Sequence, residues 1–139
     1  MISIEEALEG STPLAVKVGE LGPFESGKAL IETMRQVAGT LNDDEKVATL
    51  NAHPRIGARP SQMSVRSRHE QGEDSAPEFD QLNADYEGRF GFRFVTFVNR
   101  RPKSAILPEI RERLRHSRQE ELDVGLRAVI DIAEDRLRR

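Results

Sequence analysis

From Ser26 onward, Leu30, Met34, Val37 and Leu41 follow one another at spacings of four, three and four, with Ile31 and Ala38 widening the same stripe. A stripe of that period buries along one face of an α-helix and has no use in a sheet. Comparable signals divide most of the chain. Ser3 with Glu6 marks a short opening helix, ended by Gly10 and a Ser-Thr-Pro turn before Leu14. Asn42 caps a helix whose first turn carries Asp43, Asp44 and Glu45, with Val47, Ala48 and Leu50 inward, and Pro54 stops it near His53. Pro77 suits the first position of a helix that turns Phe79, Leu82 and Tyr86 to the core and closes near Phe90 and Gly91. Ser104 to Arg115 sets Ile106, Leu107, Ile110 and Leu114 on one side, with Pro108 expected to kink or delay the helix. A Ser117–Glu120 capping box opens a long last helix with Leu122, Leu126, Val129, Ala133 and Leu137 inward.

One segment breaks the period. Phe92, Phe94, Thr96 and Val98 alternate with Arg93, Val95, Phe97 and Asn99 as in a strand, yet no second run of that kind exists to pair with it. A buried extended or helical segment is expected there. Between Ile56 and Ser64 the chain reads as a loop, and Ser64 to Gln71 as a short helix with little apolar surface. The expectation is an all-α, single-domain multi-helix bundle over residues 1–139. With no cysteine, neither a disulfide framework nor a thiolate site is available, so packing must hold the fold. The balance of 24 acidic against 21 basic residues, a net charge of −3, favours neither nucleic acid nor anionic membrane. No stretch approaches the roughly 20 apolar residues that cross a bilayer. The start MISIEEALEG lacks the pattern of a signal peptide, which makes a cytoplasmic protein the expectation.

Three polar features stand apart from a bundle with solvated outer faces. His53, in HPRIG, sits where a helix gives way to a loop. The negative end of the helix dipole there favours a protonated ring, suited to donating a proton, although a plain C-terminal capping role fits the position too. In SRHEQ, Ser67, Glu70 and Gln71 are hydrogen-bonding groups on a segment almost devoid of core residues, and Ser67 with Glu70 equally makes a capping box. His69 beside Glu70 has no second ligand at a recognised helical spacing, so no metal site is expected. Arg136 flanks the inward stripe of the last helix, where it either meets an anion or snorkels to water past Arg138 and Arg139. The cluster Arg100, Arg101, Lys103, Arg111, Arg113, Arg115 and Arg118 is interrupted by Glu109, Glu112, Glu120 and Glu121, as on a solvated, salt-bridged face.

In order along the chain, these motifs resemble the OHCU (2-oxo-4-hydroxy-4-carboxy-5-ureidoimidazoline) decarboxylase family from about Phe24 to Leu137. Ala52, His53 and Pro54 match its Ala-His-Pro motif, with the continuation Arg55, Ile56 and Gly57 similar to the bacterial branch. Ser67, Glu70 and Gln71 match a Ser-x-x-Glu-Gln motif. LNADYEGRFGFRFV, from Leu82 to Val95, matches a tyrosine-bearing helix that runs into a Phe-Gly segment, and Ile132, Ala133, Arg136 and Leu137 match the closing Ile-Ala-x-x-Arg-Leu. Residues 1–23 depart from the family pattern as a shorter N-terminal segment, and the stretch from Gly72 to Glu78 is compact and acidic where many relatives have a longer connection.

The resemblance implies a homodimeric all-α enzyme that decarboxylates a ureidoimidazoline to S-allantoin in urate degradation, without cofactor, metal, nucleic acid or membrane. It assigns His53 as catalytic acid, with Glu70 and Arg136 completing the polar set. It assigns substrate binding to Pro54, Ser67, Gln71 and the stretch Phe94, Val95, Thr96, Phe97 and Val98. The competing expectations are a paralogue acting on a related ureide acid and a non-enzymatic helical module. Such a module would show an exposed apolar groove or salt-dependent nucleic-acid binding.

Overall fold

The computed structural model describes residues 2–57 and 77–138, and the described residues form seven helices and no strand. They are α1 (Ile4–Ala7), α2 (Pro13–Glu20), α3 (Gly27–Ala38), α4 (Asp43–Asn51), α5 (Glu78–Phe90), α6 (Lys103–Arg113) and α7 (Arg118–Arg138). The expected all-α fold is what the chain adopts.

Caps set most of the boundaries. Ser3, Thr12, Ser26 and Asn42 each accept a hydrogen bond from the backbone N–H three residues on, which satisfies one of the donors that a helix start leaves open. Asn42 and Glu45 close a full capping box, and so do Ser117 and Glu120. Gly91 ends α5 in the left-handed conformation, with φ of 83°, where a glycine is the least strained residue.

The last helix is the axis of the molecule. α1, α3 and α4 all pack on α7, which buries Leu122, Leu126, Val129, Ile130, Ile132 and Ala133. Where α7 crosses α4, a Cβ on Gly125 would stand 2.8 Å from Leu50 Cδ2, so any side chain at this position requires Leu50 to shift. On the other side Tyr86 packs its ring against Phe90, Phe92 and Phe94, with centroids 4.6, 6.0 and 5.4 Å away.

Several expectations change in the structure. The turn before Leu14 is the start of a further helix, α2, with Thr12 as cap and Pro13 at its first position. On α4 it is Thr49, not Ala48, that turns inward beside Leu50, its hydroxyl donating to the Glu45 carbonyl within the helix. Residues 92–98 form no strand, as expected, and are a largely buried irregular segment whose carbonyls pair with side chains. α6 starts at Lys103 and runs through Pro108 with no delay. The supposed solvated basic face also has an interior side, because Lys103 and Arg113 are buried.

Candidate active site

His53 follows the end of α4, its N–H donating to the Leu50 carbonyl over 3.1 Å in a last tightened turn. The loop it opens is fastened from three sides. Arg55 makes a paired bridge to Glu87 of α5, at 2.7 and 2.9 Å. Buried Asn83 donates to the Ile56 carbonyl at 2.9 Å. Arg93 donates through its backbone to Asn51 Oδ1 and through its guanidinium to the carbonyls of Asn51 and His53, at 2.9, 3.0 and 3.1 Å. That last set pins the start of the Phe-rich segment to the His53 turn, so two stretches some forty residues apart are held side by side.

The His53 ring is only 3% exposed, and among the described residues neither ring nitrogen has a partner in hydrogen-bonding geometry. Burial pushes its pKa down from 6.5 to about 4. The Glu9 carboxylate and the nearby Thr49 backbone work against that shift, and the Arg136 guanidinium adds to it. The expected protonated ring is therefore corrected to a neutral one at pH 7. The helix terminus is outweighed by desolvation, which is the larger effect for a fully enclosed imidazole.

Arg136, near the end of α7, is 1% exposed and does not snorkel. It donates to Glu9 Oε1 at 2.7 Å and to the Glu6 carbonyl at 3.1 Å. Glu9 is itself nearly enclosed, at 9%, and it reaches Arg136 from a backbone with φ of 62°, beside Gly10 at 116°. The charges that the imidazole meets are thus an arginine from one end of the chain and a glutamate from the other.

Residues 94–98 are held by their carbonyls. Arg113 donates to the Val95 carbonyl at 2.8 Å, and Arg101 to those of Phe97 and Val98 at 2.6 and 3.0 Å. The Thr96 hydroxyl donates to Glu109 in a short hydrogen bond and accepts from Arg101. Phe94, Val95, Thr96 and Val98 are buried and Phe97 is half-buried, while Pro54 is half-buried beside His53. The expected site residues Ser67, Glu70 and Gln71 lie outside the described residues.

Behind this segment lies a network with no counterpart in the sequence expectations. Glu121, fully buried, accepts from the Tyr86 hydroxyl at 2.6 Å and from Arg113 Nε at 2.7 Å, and meets His116 Nδ1 at 2.8 Å. Arg113 also lies over the Phe94 ring, 4.5 Å from its centroid. Among the described residues no group of acidic and histidine side chains is arranged to hold a metal. None of the described helices is long and apolar enough to cross a membrane. An open groove of about 310 Å³ between α3 and α7, lined by Ala38, Leu126 and Ile130 among others, contains none of the expected site residues.

The sequence matches the OHCU decarboxylase family over residues 3–138. A 2-oxo-4-hydroxy-4-carboxy-5-ureidoimidazoline decarboxylase of Haloferax volcanii is 32% identical over 140 residues, covering 95% of this chain and 83% of that protein. The counterpart in Halalkalicoccus jeotgali is 29% identical over 143 residues, covering 97% and 81%. The uric acid degradation bifunctional protein of Bacillus sp. is 28% identical over 136 residues, 93% of this chain, but the chain spans only 27% of that protein's length. Among solved structures, an OHCU decarboxylase crystallised in the presence of (S)-allantoin superposes with a TM-score of 0.75 at 24% identity, covering 91% of this chain and 89% of that one. That likeness concerns the fold. With the sequence match running from α1 to the end of α7, both termini that meet at Arg136 fall within it, and the chain belongs to the OHCU decarboxylase family.

Proposed function

We propose that this chain decarboxylates 2-oxo-4-hydroxy-4-carboxy-5-ureidoimidazoline to (S)-allantoin, as a single decarboxylase domain with a short N-terminal segment. The observation that carries the reading is a buried, neutral imidazole with both nitrogens unpartnered among the described residues, beside a buried arginine. An orphaned polar group in a protein interior costs about 1–3 kcal/mol unless something meets it. A polar substrate supplies that partner.

The chemistry suits the groups present. The departing carboxylate sits on C4, next to a ring C=N bond. As the C4–carboxylate bond breaks, its electron pair forms a C4=C5 double bond, and the former C=N pair moves to nitrogen, which takes up a proton. The resulting enol becomes allantoin by losing its C4 hydroxyl proton and gaining one at C5. The ring is its own electron sink, so the reaction asks the protein only to orient, to shield and to move protons. A neutral His53 accepts the hydroxyl proton and returns one to a single face of C5, which fixes the handedness. Arg136 orients the anionic substrate. Glu70, Ser67, Gln71, Pro54 and residues 94–98 bind the ureido and ring groups in this reading, which the motif resemblance supports. The same resemblance supports a homodimer.

The test generates OHCU freshly from urate with urate oxidase and its hydrolase partner, adds this protein, and follows allantoin by circular dichroism. Decay faster than the spontaneous rate with one enantiomer in excess is expected. Unaltered, racemic decay sinks the reading.

A further inference from the structure

Arg136 has a partner whose position is difficult to explain by stability alone. Glu9 adopts a left-handed backbone, at φ 62°, which is strained for a residue with a side chain. The turn is tied down by Gly10, whose N–H donates to the Glu5 carbonyl at 2.7 Å. Its effect is to swing the Glu9 carboxylate inward onto Arg136, where the pair is 9% and 1% exposed. A buried ion pair contributes little net stability once its desolvation is counted. Strain and desolvation together at one place point to a functional demand.

We propose that Glu9 is a positioning residue of this site, holding the plane of the Arg136 guanidinium and setting the charge that His53 meets. The proposal rests on the reading of His53 and Arg136 as the reacting site. Two donors of Arg136 are fixed by the N-terminal segment, Nη2 by the Glu9 carboxylate and Nη1 by the Glu6 carbonyl. That anchorage orients the guanidinium before substrate arrives. Glu9 also offsets the arginine's charge. A carboxylate gripped by an uncompensated buried cation is stabilised in the ground state and gives up its electrons reluctantly, whereas a compensated one is oriented without that penalty. At the imidazole, Glu9 favours the protonated ring and Arg136 opposes it. The other charge next to this turn is Arg93, at the His53 carbonyl, and α4 contributes the Thr49 backbone.

The test compares the parent with Glu9→Gln and Glu9→Asp. Removing the carboxylate charge should lower kcat/KM on the order of 10-fold or more and move the acid limb of the pH profile to lower pH, because His53 becomes harder to protonate. Glu9→Asp keeps the charge but withdraws it by one methylene, so its limb should stay near the parent's while KM rises. A purely structural role would lower Tm and leave the limb in place; that result, or parent-like kinetics in Glu9→Gln, overturns the proposal. Should Glu9→Gln fail to fold, a Glu9→Asp protein with the parent's KM overturns it equally. If the parent itself does not accelerate OHCU decay, the functional reading fails by itself. Nitrogen-15 NMR titration of the His53 ring then tests Glu9 without substrate, with superposed curves in parent and Glu9→Gln counting against it.

Discussion

A histidine placed at the end of a helix is ordinarily favoured as a cation, and the sequence around His53 reads that way. What reverses it is enclosure, a property of the whole tertiary structure that no local motif carries. The consequence is measurable in stability. The folded state holds His53 at about pKa 4, against 6.5 for a free ring. Between those values the unfolded chain binds a proton that the folded one refuses. The contribution is therefore fully present above pH 6.5, falls as pH drops through that window, and levels off below about 4, a loss of roughly 3 kcal/mol. Denaturant titrations of the parent and of His53→Leu should show this slope in the parent and its absence in the variant; parallel curves would exclude a neutral buried ring. Activity should follow the same group. It should be flat through neutral pH and decline toward pH 4. His53→Ala should lose on the order of 10²-fold to 10⁴-fold in turnover.

At the level of elements, capping residues and apolar period together mark α3, α4, α5 and α7 in the sequence alone, because both signals are local. α2 escaped because its Thr-Pro start also reads as a turn, although the same Thr12 and Pro13 cap and open the helix that packs on α3 and α4. Residues 92–98 are legible as a buried segment outside any sheet, but what holds them is not: their carbonyls are taken by Arg101 and Arg113, arginines supplied from later in the chain. The crossing of α4 and α7 was equally hidden, since nothing in the sequence near Gly125 names Leu50 as its neighbour. Alanine at Gly125 gains about 1 kcal/mol in helix propensity, yet its methyl would meet the fully buried Leu50 side chain at 2.8 Å. Overpacking of that kind costs about 1–3 kcal/mol, so a net loss of stability is expected. Combined with Leu50→Val the alanine should be tolerated better than alone. Additive free energies across that double-mutant cycle would show that the helices have room to part.

Across the whole molecule, the chain's two ends and its middle meet through charges whose partners the sequence does not name. Glu9 and Arg136 are 127 residues apart, and Arg113 joins Glu121 to residues 94–98 from the inside of an apparently exposed basic run. Long-range pairs of this kind leave no periodic trace, which is why the fold was more legible than the site's surroundings. Their importance can be judged from what one loss should do. In Glu121→Gln the Tyr86 phenol, which burial and this carboxylate hold far above its ordinary pKa and so keep a donor, retains an acceptor. Arg113 does not fare so well. It stays buried with Glu109 at 3.3 Å as its remaining anion among the described residues, where its Nη2 already has no partner. Stranding a buried charge costs about 3–5 kcal/mol, somewhat less where a second carboxylate persists. For a chain of this size about 3 kcal/mol lowers Tm by roughly 6–12 °C. Because Arg113 also holds the Val95 carbonyl, the same variant should loosen residues 94–98 and raise KM, whereas Glu121→Gln with Arg113→Met, which removes the stranded charge and leaves the Tyr86 phenol its acceptor, should recover part of the lost Tm without recovering KM. Calorimetry beside steady-state kinetics separates the two effects, and a double variant with the parent's KM would show that residues 94–98 hold their shape without the buried arginine.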